Sequence, residues 1–277
     1  MDEKMKIATY NVNSVNARLE GLCHWLKAEQ PDIVLLQEIK TEFNAFPFFE
    51  INAVGYDAKI LGQKSYNGVA VLSRHKMTVM QENLPNFNDE NARWLEVMVD
   101  VNHQNIRVVS LYLPNGNPPY NDLSDNSKFE YKLAWMDAFI KRTAELRYQS
   151  EPVILGGDYN ILLTDDDVYD PSIFKGGALY RPEVTDRLRA VLYQGWSDAF
   201  RLSQSNENIL THKAENGYTY WDYGGGAFLS DLGLRIDYLL LSPKAADRFE
   251  KCWVDKTPRR GEKPSDHTVL VAELTWE

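Results

Sequence analysis

The chain has 277 residues, a length that fits one large domain, and its 44% hydrophobic and 12% aromatic residues supply a sizeable core, which excludes disorder. A net charge of -10, taken alone, argues against a nucleic-acid partner, although a bound divalent cation and a local basic patch can hold a phosphate backbone on an acidic protein. Two cysteines, Cys23 and Cys252, exclude a disulfide framework and a cysteine-built zinc site, and no stretch approaches the ~18 apolar residues that span a bilayer.

Met1 to Lys6 is charged and leads straight into a strand without an apolar signal region, so a cytoplasmic protein with no membrane partner is expected. That strand, Lys6 to Val12, ends in polar Asn11 and Asn13. Val15, Leu19, Leu22 and Leu26 then fall at near-helical spacing, which predicts a helix over residues 15–29, stopped at Pro31-Asp32. Ile33-Val34-Leu35-Leu36 reads as a strand buried on both faces, and it runs into Gln37-Glu38. Gly68 to Ser73, Trp94 to Val101 and Ile106 to Leu113 follow as strands, the middle one placing Leu95, Val97, Val99 and Val101 on one face. Phe129 to Leu146 is a helix with Phe129, Leu133, Met136, Phe139, Ile140 and Ala144 on its apolar stripe. Val153-Ile154-Leu155 is a second buried strand, ending in Gly156-Gly157-Asp158. Glu183 to Tyr193 makes a third helix, and Ile236 to Leu241, Phe249 to Val254 and Thr268 to Leu274 supply the late strands. Each half thus runs helix, break, buried strand, then an acidic residue, Glu38 or Asp158, and no linker divides them. Two sheets packed face to face with helices outside, in one domain, is the architecture this implies.

Polar clusters stand at the strand ends: Asn11-Val12-Asn13, Gln37-Glu38, Tyr112-Leu113-Pro114-Asn115, Gly157-Asp158-Tyr159-Asn160 and Ser265-Asp266-His267, with Asp237 inside Arg235-Ile236-Asp237-Tyr238. Strand ends present side chains rigidly at a sheet rim. A single Asp or Asn there is most often a turn former or a helix cap, the reading that suits Asp165-Asp166-Asp167. Glu38 has an equally plain reading as a salt bridge to Lys40. The combination and order of all these clusters is far more specific than any one of them.

From Lys6-Ile7-Ala8-Thr9-Tyr10-Asn11 to Lys263-Pro264-Ser265-Asp266-His267, the chain resembles the exonuclease III family of apurinic/apyrimidinic endonucleases, within the endonuclease/exonuclease/phosphatase superfamily. The most specific pieces are Leu36-Gln37-Glu38, Gly62-Gln63-Lys64, Tyr112-Leu113-Pro114-Asn115, Gly157-Asp158-Tyr159-Asn160, Leu234-Arg235-Ile236-Asp237 and the Ser-Asp-His end. The resemblance implies a four-layer α/β/β/α sandwich. It implies Mg²⁺, with Mn²⁺ able to substitute, held by Glu38, Asn11 and Asp266 with Asn13 close by. Asp158 is implied as the base or orienter of the attacking water, and Asn160, Tyr112 and Asn115 as the cradle of the phosphate. His267 is implied as a donor to a phosphate oxygen, with Asp237 holding its other nitrogen. Tyr220 and Trp221, with Leu234 and Ile236 opposite, match the pocket for a baseless sugar flipped out of the duplex. For Trp221, ordinary core packing is an equal reading.

Two positions depart from the family pattern. Gly224-Gly225-Gly226 stands where relatives often carry a residue that wedges into the duplex, and Pro118 replaces a basic residue beside the Tyr112 loop. Candidate contacts to the DNA backbone are Lys64, Arg18, Arg93, Lys213 and Arg235, while His24, His75, His103 and His212 read as ordinary surface or core residues. The expected protein is a monomer acting on double-stranded DNA at abasic sites or 3′ ends. The alternatives are a mainly 3′-to-5′ exonuclease, a superfamily phosphoesterase of inositol or sphingolipid substrates, and an inactive nucleic-acid-binding module. The Tyr112 motif and the aromatic Tyr220 segment oppose the lipid reading, and the full set of reacting groups opposes the inactive one.

Overall fold

The expected strands alternate apolar side chains to both faces, so each needs cover on two sides. The computed structural model describes residues 3–118, 124–206 and 216–276 and supplies that cover. Its strands are β1 (Glu3–Asn11), β2 (Ile33–Gln37), β3 (Asp57–Leu61), β4 (Val69–Ser73), β5 (Lys76–Glu82), β6 (Trp94–Val101), β7 (Gln104–Tyr112), β8 (Val153–Asp158), β9 (Ser197–Asp198), β10 (Asp237–Leu241), β11 (Phe249–Asp255) and β12 (Val269–Trp276). Its helices are α1 (Leu19–Glu29), α2 (Phe48–Ala53), α3 (Ser127–Leu146), α4 (Pro171–Phe174), α5 (Pro182–Tyr193), α6 (Ala199–Asn206) and α7 (Pro243–Ala246).

The strands form two six-stranded mixed sheets, ordered β11-β12-β1-β2-β4-β3 and β5-β6-β7-β8-β10-β9. Ile7, Ile33, Leu35, Val69 and Val71 of the first sheet meet Leu95, Val97, Val108, Ile154 and Leu239 of the second in a core between them. The alternate residues face outward. Tyr10, Val34, Leu36 and Leu72 pack under Leu22, Trp25 and Leu26 of α1, and Trp94, Val109, Leu111 and Leu155 pack under Trp135, Phe139 and Leu188 of α3 and α5. This is the four-layer sandwich that the duplicated pattern implied.

Gly156 faces the opposite sheet, while Gly157 lies against the neighbouring strand of its own sheet. A Cβ on Gly156 would come 2.5 Å from Leu35 Cδ1 of the opposite sheet, and one on Gly157 would come 1.9 Å from the Leu111 carbonyl oxygen. No side chain larger than hydrogen fits at either place without movement.

Three local expectations differ. α1 begins at Leu19 rather than residue 15, because the Ser14 and Val15 N–H groups donate to the carbonyls of Glu38 and Ile39 and keep the chain out of the helix until Arg18. The Asp165–Asp167 run is the body of a 3₁₀ turn capped by Thr164, with Asp167 closing the capping box, so its cap lies one residue earlier. On α3 the buried face also includes Lys132, Trp135 and Thr143.

Candidate active site

Strand register brings the polar strand ends together. Asp158 is partnered by Tyr112 across β7–β8 and by Asp237 across β8–β10, so one row of the second sheet carries all three. In the first sheet β1 and β2 end side by side, with Asn11 opposite Gln37 and Glu38 next. Ser265 Oγ donates to the Asn11 carbonyl at 2.7 Å, which seats Asp266 and His267 beside the end of β1. The Asn11 amide nitrogen donates to Glu38 Oε1 and to Asp158 Oδ2, both at 2.9 Å, and so links the two rims.

His267 is buried, with Nδ1 2.8 Å from Asp237 Oδ2 and Nε2 3.6 Å from Asp158 Oδ2, the second too long for a hydrogen bond. Burial opposes charging of the ring, but Asp237 and Asp158 overcome it and raise its pKa to about 10, so the imidazolium is the stable form. Burial, aided by Asp237 and Glu38 and opposed by His267, lifts Asp158 to about 7. Asp158, Asp237 and His267 lie close enough to share a metal ion. A metal would require a neutral imidazole, whereas here the ring proton already binds the group together. Tyr112, placed beside Glu38 and Asp158, keeps its phenol protonated, because burial and then those two carboxylates drive its pKa well up.

The carboxylates Glu38 and Asp266 border a different cluster. Lys40 Nζ sits 2.8 Å from Glu38 Oε2 and 2.6 Å from Asn13 Oδ1, and Asn13 Nδ2 donates to Asp266 Oδ1 at 3.0 Å. An ammonium is thus already drawn among hard oxygens of the kind that hold a magnesium-like cation, and the donor set fits such an ion. The salt bridge expected for Glu38 exists alongside. Asn11 differs from its expected place as a ligand. Its Oδ1 accepts the Asn13 N–H at 3.0 Å and its nitrogen faces the carboxylates, so a flip to present oxygen would set N–H against N–H. Asn11 therefore orients the acids. Asn13, Glu38, Lys40 and Asn160 all adopt left-handed φ values of 45–52°, a concentration of uncommon backbone around one site.

On the far side, Asn115 Nδ2 donates to Asn160 Oδ1 at 3.1 Å, and the Asn160 N–H donates to Asp158 Oδ1 at 2.9 Å. Beneath them lies buried Lys132, which sequence reasoning missed. Its signal was its position, three residues after Phe129 and four before Met136 on the apolar stripe of α3. Its Nζ donates to the carbonyls of Asn115, Asn160 and Ala178 at 3.1, 2.7 and 2.9 Å. Only a protonated amine satisfies three acceptors together, so Lys132 carries its charge here although burial draws its pKa down to about 7.

These groups open into a cavity of about 690 Å³, lined by Glu38, Tyr112, Asn115, Asp158, Asn160, Asp266 and His267 at one end. Tyr220, Leu234 and Ile236 form an apolar wall with Tyr169, Phe174 and Leu179, three residues that sequence reasoning also missed. Tyr220 meets the His267 ring edge-on at 5.0 Å. Trp221 corrects one expectation. It is fully buried against Tyr218, Ala227 and Phe228, with Nε1 bonded to Asp231, and its side chain supports the wall from behind. Gly224 and Gly225 of the triple glycine line the rim, and Cβ atoms on Gly225 and Gly226 would meet nothing within 4 Å.

Arg235 is likewise corrected as a DNA contact. It is wholly buried, paired to Asp167 at 2.7 Å and Asp198 at 2.8 Å, because Leu234 and Ile236 alternate with it toward the cavity. Arg18 donates to the Tyr223 hydroxyl, Arg93 lies over the Tyr112 ring, and Lys64 is exposed. Lys213 and His212 lie outside the described residues. His75 pairs with Asp32, while His24 and His103 are exposed.

The chain is 29% identical to exodeoxyribonuclease III of Haemophilus influenzae over 98% of this chain and 100% of that one. Among solved structures, it superposes on a 3′ phosphatase from Neisseria bound to product DNA hairpin with a TM-score of 0.87, at 33% identity over 98% of this chain and 100% of that one. An AP endonuclease from Archaeoglobus fulgidus gives a TM-score of 0.84 at 30% identity, over 97% and 98% of the two chains. The model of the endonuclease/exonuclease/phosphatase family matches residues 8–267, and with the site assembled on this sandwich the chain belongs to that family.

Proposed function

We propose that the chain is a DNA-repair nuclease that hydrolyses the phosphodiester 5′ to an abasic site in duplex DNA, leaving a 3′-hydroxyl, and also trims 3′ ends. It acts as a monomeric, single-domain cytoplasmic enzyme with Mg²⁺, or Mn²⁺ in its place, held by Glu38 and Asp266 with Asn13 beside them. The observation that carries this reading is the meeting, at one cavity end, of a charged imidazole, a buried carboxylate and a hard-oxygen cluster.

In this reading Asp158 orients the attacking water and accepts its proton, held for the task by the Asn160 N–H and the Asn11 amide. His267 donates from Nε2 to a non-bridging phosphate oxygen, and Asp237 fixes the ring through Nδ1. Tyr112, protonated at any physiological pH, and the amides of Asn115 and Asn160 donate to the same phosphate. The cation, when bound, supplies charge that offsets the negative phosphate and the departing 3′ oxygen. Water adds to phosphorus, the bond to the 3′ oxygen breaks, that oxygen takes a proton from solvent to become the hydroxyl, Asp158 returns its proton to solvent, and the 5′ phosphate stays on the baseless sugar. Tyr220, Leu234 and Ile236 offer an apolar face to that sugar.

A second reading, a mainly 3′-to-5′ exonuclease, is favoured by the glycine rim, where open space stands in place of a side chain that could wedge into the duplex. An end-labelled duplex with one internal abasic analogue, beside an undamaged control, each with Mg²⁺ and with chelator, tests both. Metal-dependent cutting at the lesion supports the first, digestion from the 3′ end alone replaces it with the second, and inertness on both overturns the nuclease reading.

A further inference from the structure

Lys132 is a costly way to fill a helix face. The other buried residues of α3 are Phe129, Trp135, Met136, Phe139, Thr143 and Leu146, and Lys132 makes no ion pair among the described residues. An apolar residue would pack there without the penalty of a buried charge. The surroundings are nonetheless shaped around it. Gly116, at φ +80°, lies against its stem, where a Cβ would come 2.7 Å from Lys132 Cδ.

The three carbonyls it binds belong to three separate segments. Asn115 follows β7, Asn160 follows β8, and Ala178 belongs to the wall after α4. The first carries the Tyr112 cluster, the second carries Asp158, and the third lines the apolar end of the cavity. We propose that Lys132 is a positioning residue for hydrolysis: its ammonium draws the three segments onto one point and so fixes Asn115, Asn160 and Asp158 at the spacing of a single phosphate. The inference rests on the nuclease reading above.

Lys132→Met removes all the donors at similar volume, and Lys132→Gln restores two of them on a shorter stem. Both are assayed beside wild type with Mg²⁺, on the abasic duplex and on an undamaged 3′ end, after melting curves show which are folded at the assay temperature. The expected result for Lys132→Met is a kcat lower by ~10-fold or more with KM changed by less than about threefold, and a partial recovery of kcat in Lys132→Gln. A purely structural role would lower the melting temperature but leave kcat per folded molecule unchanged. Should Lys132→Met fail to fold, the kcat of Lys132→Gln decides. Wild-type kcat in a folded variant, or a loss confined to KM, overturns the inference, whereas inactivity of the wild type on both substrates overturns the nuclease reading itself.

Discussion

Asn11 and Asp158, 147 residues apart in the chain, meet at 2.9 Å across the gap between the two sheets. One amide therefore holds the rims in register, since the same nitrogen reaches Glu38. Asn11→Ala is expected to lower kcat by about 10–100-fold while DNA affinity changes little, because it loosens the proposed base without removing a charge. Steady-state kinetics with an abasic duplex and a fluorescence-anisotropy binding curve check the two halves. A normal kcat would show that Asp158 needs no such tether.

Asp158→Asn and His267→Ala remove the reacting groups themselves. Each is expected to cost at least ~100-fold in turnover with binding retained. Single-turnover rates at saturating enzyme separate the two. Near-normal turnover in either variant would mean its role is misassigned.

The Asp237–His267 pair makes a prediction about pH. With its folded pKa raised to about 10 from an ordinary 6.5, the imidazolium contributes stability that is complete below pH 6.5 and is lost as pH rises toward 10. In metal-free protein, NMR should find no titration of the His267 ring between pH 6 and 8.5, about the interval where a free imidazole changes charge. Asp237→Asn should bring that titration back toward neutral pH. A wild-type ring that titrates near 6.5 would sink the assignment.

Arg235 and Lys64 are expected to fail differently. Arg235→Ala leaves Asp198 buried without its cation and Asp167 held by Arg201 alone, and should destabilise the fold by about 3 kcal/mol, read by denaturant melts. Lys64→Ala should leave stability unchanged and reduce the slope of log affinity against log salt by about one. An unchanged salt slope would remove Lys64 from the DNA interface.

Gly224→Met restores bulk at the cavity rim. The ratio of internal incision to 3′ digestion is expected to rise by roughly tenfold, on the scale of one added apolar contact. A ratio that stays fixed would mean that the rim does not select the substrate.

The strands with apolar residues on both faces were legible because burial on two sides leaves continuous runs such as Ile33–Leu36 and Val153–Leu155. β3 and β5 were not, since they are paired on one side only and their largely exposed or half-buried residues keep no clean alternation. At the site, Glu38, Asp158 and His267 were legible from motif order, and the structure brings them to one cavity. Side-chain direction was harder to read. Trp221 and Tyr220 are neighbours, yet only Tyr220 faces the cavity, because backbone bonds from Trp221 to Asp266 and from Tyr220 to Leu234 fix which side turns inward. Lys132 was hidden because a lysine on a helix stripe ordinarily reaches solvent, and only the loops folded over α3 reveal its partners.

Gly156 gives the fold a mechanical control over its chemistry. It acts as a shim of zero thickness where the layers that carry Asn11 and Asp158 meet. A methyl group at Gly156 would press on Leu35 and Leu239, the side chains that fill the space between the layers, while leaving every acid, amide and imidazole of the site intact. Reactivity here is tuned by clearance between layers as much as by the groups those layers carry.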